Sequence, residues 1–342
     1  MAFIDLDRTD LNMLNHLMKN ILVASVLFVG GVGGMAIEGL AQEVPSLTLQ
    51  LQESPAPGTL LDVNFYDAEH GWIVGAGGVM LHTKDGGVTW KKAPRRTTML
   101  LTAVMFADSQ HGWILGQNGT ILHTRNSGLQ WMQQASGTNG MLYGAFFLSP
   151  EHGWIVGSRG VILVTTDGGE TWSDQVSSTN ADLFGIHFLD ANTGWVVGAL
   201  GTILVTHDGG ASWSPQPANS STTFFDITFT DAVSGWAVGT QGAIFQTLNA
   251  GETWVDRARA CGSPCLKPAD LVNIHFSTSL RGRIIGERGT ILITEDGGFT
   301  WSEIEPLNTE TLYGLSLPDS TQGFAVGDHG TILHFLSPPA GS

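Results

Sequence analysis

Four aspartates recur at a fixed place in the repeating sequence and are the most regular acidic groups of this 342-residue chain. Each stands in a box of the form Thr-x-Asp-Gly-Gly-x-Thr/Ser-Trp, and the four are Asp85, Asp167, Asp208 and Asp296. Paired carboxylates can act as general acid and base, but they then need unlike environments. Here every copy repeats the same turn, in which an aspartate can accept backbone N–H bonds and glycines adopt positive φ. The boxes therefore predict structural turns, and we expect no catalytic residue among them.

Tyrosine is the second residue type that could do chemistry, because sialidase-type hydrolysis departs from the simple carboxylate pair and uses a tyrosine nucleophile. Tyr143 and Tyr313 stand at the same Leu-aromatic-Gly position as Phe184, so we expect them to be packing residues. Tyr66 ends a predicted strand beside Asp67. None of the three stands beside a glutamate in a pattern typical of that chemistry. A sialidase-type glycoside hydrolase is therefore only the alternative function.

Histidines and cysteines offer no convincing metal site. His70, His111 and His152 occupy one position in successive repeats, which places them roughly 10 Å or more apart, whereas zinc ligands lie about 2 Å from the ion. They are better interpreted as turn residues. Cys261 and Cys265 enclose Gly-Ser-Pro, which can turn the chain back, and an exported chain permits a disulfide between them. We expect that disulfide, no metal and no cofactor.

The elements that must position these residues come from a single repeat. Gly-Trp recurs every 41 residues at Gly71, Gly112, Gly153, Gly194 and Gly235, and continues as Gly282-Arg283 and Gly323-Phe324. A fixed period of about 40–45 residues is typical of propeller blades. An alternating strand precedes each copy, a Gly-x-x-Gly turn and an Ile-Leu-x-Thr strand follow it, and the box leads to a fourth strand.

The repeats predict an all-β fold: a seven-bladed β-propeller of four-stranded blades over residues 45–338. The seventh repeat lacks its fourth strand, and residues 46–52 alternate like one. We expect this N-terminal strand to pair with residues 330–336, because closure leaves the ring without an open edge. All eleven tryptophans belong to the Gly-Trp and box positions, so they are expected to form the blade core.

The repeated L-x-x-V-x-F…G-W-x-V-G-x-x-G-x-I-L-x-T-x-D-G-G-x-T-W pattern resembles the photosystem II stability/assembly factor family over about residues 45–336. The resemblance implies an exported seven-bladed propeller of Asp-box repeats. It also implies a non-enzymatic chaperone that binds newly made reaction-centre protein through an arginine-rich face. Similar proteins occur in organisms without photosystems, so the resemblance implies the fold more firmly than the function.

The charge distribution points to one face of the propeller. Because strand direction alternates, the loops that join strands b to c and blade to blade share a face. That face carries seven of the 13 Lys and Arg residues that follow residue 41, in a chain whose net charge is −16. The predicted partner-binding residues are Arg95, Arg96, Arg159, Arg257, Arg259, Lys267 and Arg288. Such a local field steers an acidic protein partner, whereas the overall charge argues against nucleic acid. We expect a monomer that binds a membrane protein or a subunit of a membrane complex.

The N-terminus resembles a secretory signal. Lys19 precedes an apolar run over residues 21–37, and Gly39 and Ala41 supply small residues for cleavage. We expect cleavage of residues 1–41 and a location in the periplasm or another extracytoplasmic space. The alternative is an uncleaved membrane anchor, for which 17 apolar residues are short.

Overall fold

The chain forms a seven-bladed β-propeller, as predicted. The computed structural model describes residues 47–258, 268–319 and 321–336. Twenty-eight strands make seven antiparallel sheets of four strands each. The innermost strand of every blade contacts the innermost strands of both neighbours, so the sheets stand in a closed ring.

Within a blade the strands a to d run from the centre of the ring to its rim, and the d strands are the shortest. Strands a are Leu60–Phe65, Leu101–Phe106, Leu142–Phe147, Leu183–Phe188, Phe224–Phe229, Leu271–Phe276 and Leu312–Ser316. Strands b are Gly71–Gly75, Gly112–Gly116, Gly153–Gly157, Gly194–Gly198, Gly235–Gly239, Gly282–Gly286 and Gln322–Gly327. Strands c are Val79–Thr83, Ile121–Thr124, Ile162–Thr165, Ile203–Thr206, Ile244–Thr247, Ile291–Thr294 and Ile332–Leu336. Strands d of blades 1 to 6 are Lys91–Lys92, Met132–Gln134, Ser173–Gln175, Ser214–Pro215, Val255–Asp256 and Ser302–Ile304.

The seventh blade takes its outer strand from the N-terminal part of the chain. Thr48–Gln52 pairs antiparallel with Ile332–Leu336, with Thr48 opposite Leu336 and Gln52 opposite Ile332. The half-buried Leu47 and Leu49 pack against the core between blades 6 and 7. The predicted closing strand is therefore confirmed, and no blade is left with three strands.

The tryptophans pack between neighbouring blades, as the repeat predicts. Trp113 stacks on Phe147 of the next blade with ring centroids 3.7 Å apart, and Trp154 stacks on Phe188 in the same way. The glycine before each tryptophan makes room for the phenylalanine that ends strand a. A Cβ on Gly112 would come within 2.6 Å of the Phe106 ring, so this position cannot carry a side chain without repacking.

The box turns are held by side-chain bonds to the backbone. In the first box the Asp85 carboxylate accepts bonds from the Thr89 backbone N–H at 2.9 Å and its hydroxyl at 2.6 Å. The Thr83 hydroxyl donates to the same carboxylate and accepts the Gly87 N–H. Asp167, Asp208 and Asp296 make the equivalent bonds. These bonds explain why the pKa of Asp167 and of Asp208 is lowered to about 2, and they confirm the structural role of the boxes.

A glutamine latch that the sequence interpretation missed joins three pairs of blades. Gln134 and Gln175 end their d strands and Gln216 directly follows its own, each 41 residues from the next. Each accepts a bond from the indole N–H of the next blade's box tryptophan, at 3.2 to 3.4 Å. Each also donates to a carbonyl of the next blade's box turn, at 2.9 to 3.2 Å. The regular spacing of these glutamines was the signal that could have revealed the latch.

Membrane-spanning helices are absent from the described ranges: no helix within them combines the length and the apolar character needed to cross a bilayer.

Candidate partner-binding surface

The two faces of the propeller are built from different turns. We call top face the side formed by the b–c turns and the d–a loops, and box face the side formed by the a–b turns and the box turns. The seven b–c turns are single 3₁₀ turns, Ala76–Gly78, Gln117–Gly119, Ser158–Gly160, Ala199–Gly201, Thr240–Gly242, Glu287–Gly289 and Asp328–Gly330. This arrangement agrees with the face expected from alternating strand direction.

The middle residue of every b–c turn is held in the left-handed conformation, with φ between 54° and 64°. The seven are Gly77, Asn118, Arg159, Leu200, Gln241, Arg288 and His329. Six carry side chains, although this conformation disfavours every residue except glycine. The turn is fixed by its first N–H, as when Ser158 donates to the Met141 carbonyl at 2.8 Å. Because all seven turns share this conformation, it belongs to the turn itself, and it displays the middle side chain on the top face.

Four of the predicted partner-binding arginines project from the top face without a partner. Arg95, Arg96, Arg159 and Arg288 are exposed. Within the described part of the chain, no hydrogen bond or ion pair engages their guanidinium groups. They are therefore available to bind an external carboxylate.

Arginines of the box face behave differently, since their side chains are already paired. Arg125 forms an ion pair with Glu170 of the next blade, and Arg281 forms one with Glu295 at 2.8 Å. The two faces therefore differ in whether their arginines form ion pairs, and this difference is clearer than the difference in the number of basic residues.

Arg257 does not join the exposed set. Its guanidinium Nε donates to the buried Gln246 side chain at 2.7 Å, and the residue is half-buried. The cross-strand register explains this placement, because Arg257 follows strand d directly and lies diagonally opposite Gln246. Arg259, Lys267, Cys261 and Cys265 lie outside the described residues, so their predicted roles stay predictions.

The free arginines fall into two different electrostatic settings. The top-face segments 76–78, 93–100, 117–119, 135–141 and 158–160 contain Arg95, Arg96 and Arg159 and no aspartate or glutamate, although Asp182 of the next loop accepts the Arg159 backbone N–H at 2.8 Å. We call these segments of blades 1 to 3 the basic sector. Arg288 lies instead on the turn that begins with Glu287, in the part of the ring where His329 is bound to Glu310 at 2.7 Å. The fold therefore splits the predicted patch and leaves three arginines together in one sector.

A central channel opens beside these turns. A cavity of about 440 Å³ is lined by residues of all seven a strands. Each a strand has a β-bulge one residue after its start, near the top face. The residues at the bulges are Leu61, Thr102, Tyr143, Phe184, Phe225, Val272 and Tyr313. Bulges re-aim side chains, and here they direct them to the channel mouth.

Tyr143 and Tyr313 are therefore not core residues, which corrects the expectation that they serve only in packing. Both are half-exposed and line the channel. The Tyr313 hydroxyl donates to Asp328 at 3.2 Å, and burial raises the pKa of both phenols. Tyr66 lies at the other face, stacked on His70. An aromatic residue precedes a glycine at the same place in several repeats, and this recurrence was the sequence signal for aromatic side chains at the channel mouth.

Two carboxyl groups below the mouth join neighbouring blades. Asp62 accepts the backbone N–H of Val63 and that of Val104 in the next blade, both at 2.8 Å. Asp226 does the same with Ile227 and with Ile274 of the next blade. Burial in the channel wall outweighs these bonds and raises the pKa of both aspartates to about 7.

Histidines of the box-face turns are bound within their own turns. The His70 and His111 rings lie 3.0 Å from the carboxylates of Asp67 and Asp108. His187 and His275, the penultimate residues of their a strands, line a separate cavity, and burial lowers the pKa of both to about 4. In the described ranges no three metal-ligating side chains come together.

The sequence is similar to a known protein family over most of its length. The family model described as Photosynthesis system II assembly factor YCF48 matches residues 42–138, 129–215 and 216–309, which is most of the chain. Photosystem II assembly protein Ycf48 of Thermosynechococcus vestitus is 39% identical over 54 residues, which are 15% of this chain and 16% of that protein. Photosystem II assembly lipoprotein Ycf48 of Prochlorococcus marinus is 34% identical over 82 residues, which are 23% of each chain. The chain thus aligns with less than a quarter of the length of these relatives.

A solved structure has the same fold over nearly its whole length. YCF48 bound to D1 peptide superposes with a TM-score of 0.70 and 22% identity, covering 86% of this chain and 97% of that one. At 22% sequence identity this similarity establishes the shared fold alone.

Proposed function

The chain belongs to the family of Photosynthesis system II assembly factor YCF48, and from this premise we propose that it is an extracytoplasmic scaffold without catalytic activity. It binds a protein subunit of a membrane complex and assists the assembly or stability of that complex. The observation that carries the proposal is the basic sector, where Arg95, Arg96 and Arg159 are exposed and unpaired on a chain of net charge −16. A relative described as a lipoprotein and a YCF48 structure that holds a D1 peptide support an exported, protein-binding role.

The chemistry of the sector fits an acidic protein segment. The planar guanidinium group binds a carboxylate through two parallel bonds and also stacks on aromatic groups. A partner with carboxylates at matching spacing would replace water on three arginines that have no internal partner. Exposed charges act mainly on the association rate, and their effect weakens as salt shortens the Debye length to about 8 Å at physiological strength.

The test changes Arg95, Arg96 and Arg159 together to Glu in the full chain. Binding of the native membrane partner should fall at least tenfold, while the melting temperature changes little because none of the three side chains bonds to another residue of the described ranges. The matched control changes Lys84, Lys91 and Lys92 on the first blade's box turn and outer strand to Glu, which alters the net charge equally.

The two variants separate a located site from a general charge effect. Equal loss of the partner in both would assign binding to net charge, and loss in the control alone would assign it to the opposite side. Arg288→Glu, placed beside Glu287, should have a smaller effect than any change in the basic sector. Arg257→Glu should lower stability, because Arg257 is bonded to Gln246.

The alternative function, sialidase-type hydrolysis, has a simple test. Tyr66 packs on His70, Tyr143 lies near Asp182, and Tyr313 is bonded to Asp328 with Glu287 near enough to raise its pKa further. Within the described residues no hydrogen bond joins a tyrosine hydroxyl to a glutamate. Turnover of a fluorogenic sialoside by the purified protein would overturn the scaffold proposal.

Export belongs to the same proposal. We propose that residues 1–41 are removed after export, and that Arg259 and Lys267 add to the top-face charge. N-terminal sequencing of the protein taken from its host tests the first statement: a chain beginning near Gln42 supports it, and an intact residue 1 contradicts it.

A further inference from the structure

An arc of aromatic side chains borders the channel mouth on blades 3 to 5. The ring centroids of Tyr143 and Phe184 lie 4.9 Å apart, and those of Phe184 and Phe225 lie 5.7 Å apart. All three residues are half-exposed, and each follows a fully buried first residue of its strand, Leu142, Leu183 or Phe224. The bulges hold them there, because each shifts the pairing of its a strand by one residue. The arc is thus a contiguous apolar surface that the fold displays and does not bury.

A fourth apolar residue lies near the arc, on the b–c turn of blade 4, and this turn contacts the a strand that carries Phe225. Leu200 is 78% exposed and sits in the left-handed conformation on the b–c turn. Its turn follows Gly198, which pairs with Leu183 beside Phe184. Two unfavourable features, an exposed leucine and positive φ, coincide at one residue of a well-fixed turn. Contiguous exposed apolar surface of this kind is typical of an interaction site.

The cavity below the arc has the size and lining of a binding pocket. Its volume of about 440 Å³ falls within the range of roughly 300–1,000 Å³ that small ligands occupy. Apolar side chains surround the mouth, and polar groups lie deeper, among them Asp62, Asn64, Asp226 and Asn273. A large side chain with a polar end would therefore find both kinds of contact.

We propose that the channel mouth receives one aromatic side chain of the partner protein, carried on a segment whose neighbouring residues are acidic. Charge complementarity selects this occupant over a neutral lipid or a second copy of this acidic chain. Arg159 lies on the b–c turn of the blade that carries Tyr143. Asp182 accepts the Arg159 backbone N–H at 2.8 Å and leaves its guanidinium group free, so carboxylates beside the inserted side chain would meet that guanidinium group. The inference rests on the proposed function and adds the specificity element, since the arginines bind any acidic segment and the mouth selects one with an aromatic residue.

Threonine is a replacement for the aromatic residues of the arc that should leave the fold intact. Thr102 occupies the bulge position in blade 2, so threonine is compatible with the backbone there. The mouth variant therefore changes Tyr143, Phe184 and Phe225 to Thr. A control variant changes three exposed apolar residues of the box-face turns, Val88, Leu129 and Phe299, to Thr; these are 69%, 73% and 65% exposed.

The experiment uses a defined probe. Peptides that bind the purified full chain are selected from a random twelve-residue library, synthesised with a fluorophore, and titrated by fluorescence anisotropy at physiological salt. We expect selected peptides to share an aromatic residue flanked by Asp or Glu. Replacing that aromatic residue with Ala should weaken binding about tenfold or more, as expected for a buried aromatic anchor. The mouth variant should weaken binding equally, the control variant should bind as the parent chain does, and both should keep the parent's circular dichroism spectrum.

Failure of this inference differs from failure of the proposed function. Peptides that need the basic sector but bind the mouth variant normally would overturn the inference and leave the proposed function standing. Aromatic peptides without acidic residues, lost in the mouth variant but unaffected by Glu at Arg95, Arg96 and Arg159, would overturn the acidic partner in both. Recovery of no binding peptide, saturable binding of a fluorescent fatty acid at the mouth in place of peptides, or self-association that the mouth variant abolishes would each overturn the inference.

Discussion

At the scale of single residues, the box aspartates show how one carboxylate can fix a turn. Asp208 accepts bonds from the Ser212 backbone N–H at 2.8 Å and its hydroxyl at 2.6 Å, and from the Thr206 hydroxyl. In the second and fifth boxes Asn126 and Asn249 stand in the same place and keep the backbone bond. The turn therefore needs an acceptor there and does not need a charge.

Asp208→Ala should lower the melting temperature by a few degrees, because the turn loses its acceptor, whereas Asp208→Asn should lower it less. The two variants should also differ in acid. The pKa of Asp208 is lowered to about 2 by its hydrogen bonds, so its stabilising contribution is complete above the unfolded value near 3.8 and is lost below it. The Asn variant should lack that component, and melting curves between pH 2 and 6 measure it. Equal melting temperatures for the Ala and Asn variants would contradict the acceptor role.

Gln175 offers a second prediction, at the latch between blades 3 and 4. Gln175→Ala should destabilise the fold by about 1–3 kcal/mol, because the indole N–H of the nearly buried Trp213 loses its partner. Gln133→Ala is the control, since Gln133 is an exposed residue of an outer strand. Urea denaturation measures both, and a control as unstable as the Gln175 variant would show that the latch contributes nothing specific.

At the scale of elements, the closing strand makes the ring depend on residues far apart in the sequence. Removing residues 42–53 should lower the melting temperature sharply, because Ile332–Leu336 becomes an open edge and Leu47 and Leu49 leave the core. A synthetic peptide of residues 44–54, added in excess, should restore part of the loss by binding in place of the strand. Unchanged melting after the deletion would show that this strand does not secure the ring.

The cysteine loop between blades 5 and 6 carries a prediction that rests on the sequence. Cys261 and Cys265 should be linked when the protein is isolated from an extracytoplasmic compartment, because export permits oxidation and the intervening Gly-Ser-Pro can turn the chain. Mass spectrometry without reductant should find the intact protein two mass units lighter than its reduced form. Two freely alkylated thiols would contradict the disulfide.

The sequence predicted the fold more completely than the surface, for a physical reason. The Gly-Trp step of 41 residues records packing between blades, and each blade needs the same packing, so repetition makes it readable. Arg257 could not be assigned in this way, because its bond to Gln246 depends on the register between two strands. The bulge at Tyr143 likewise depends on the pairing between strands a and b, and the recurring aromatic-Gly pair was its trace in the sequence.

At the scale of the whole molecule, two aspartates and two histidines change the stability of the fold with pH in opposite directions. Asp62 and Asp226 bridge separate pairs of blades and have pKa values raised by burial to about 7, whereas an unfolded aspartate titrates near 3.8. Between these values the unfolded chain releases protons that the folded chain retains, so the two aspartates make the fold less stable as pH rises from about 4 to 7. His187 and His275 act in the opposite sense. Burial lowers their pKa values to about 4, so their contribution is lost as pH falls below 6.5.

These opposing contributions can be separated by replacing both aspartates. In Asp62→Asn/Asp226→Asn the backbone bonds change by an amount that does not depend on pH, and the titration of the two carboxyls disappears. The parent chain should therefore melt at a higher temperature than the variant. This difference should be largest near pH 5 and shrink steadily toward pH 8. The variant alone should become less stable as pH falls from about 6.5 to 4, because His187 and His275 then act without opposition. A difference between the two proteins that stays constant from pH 5 to pH 8 would show that both carboxyls are ionised in the channel wall throughout, held by the Val104 and Ile274 N–H groups of the neighbouring blades.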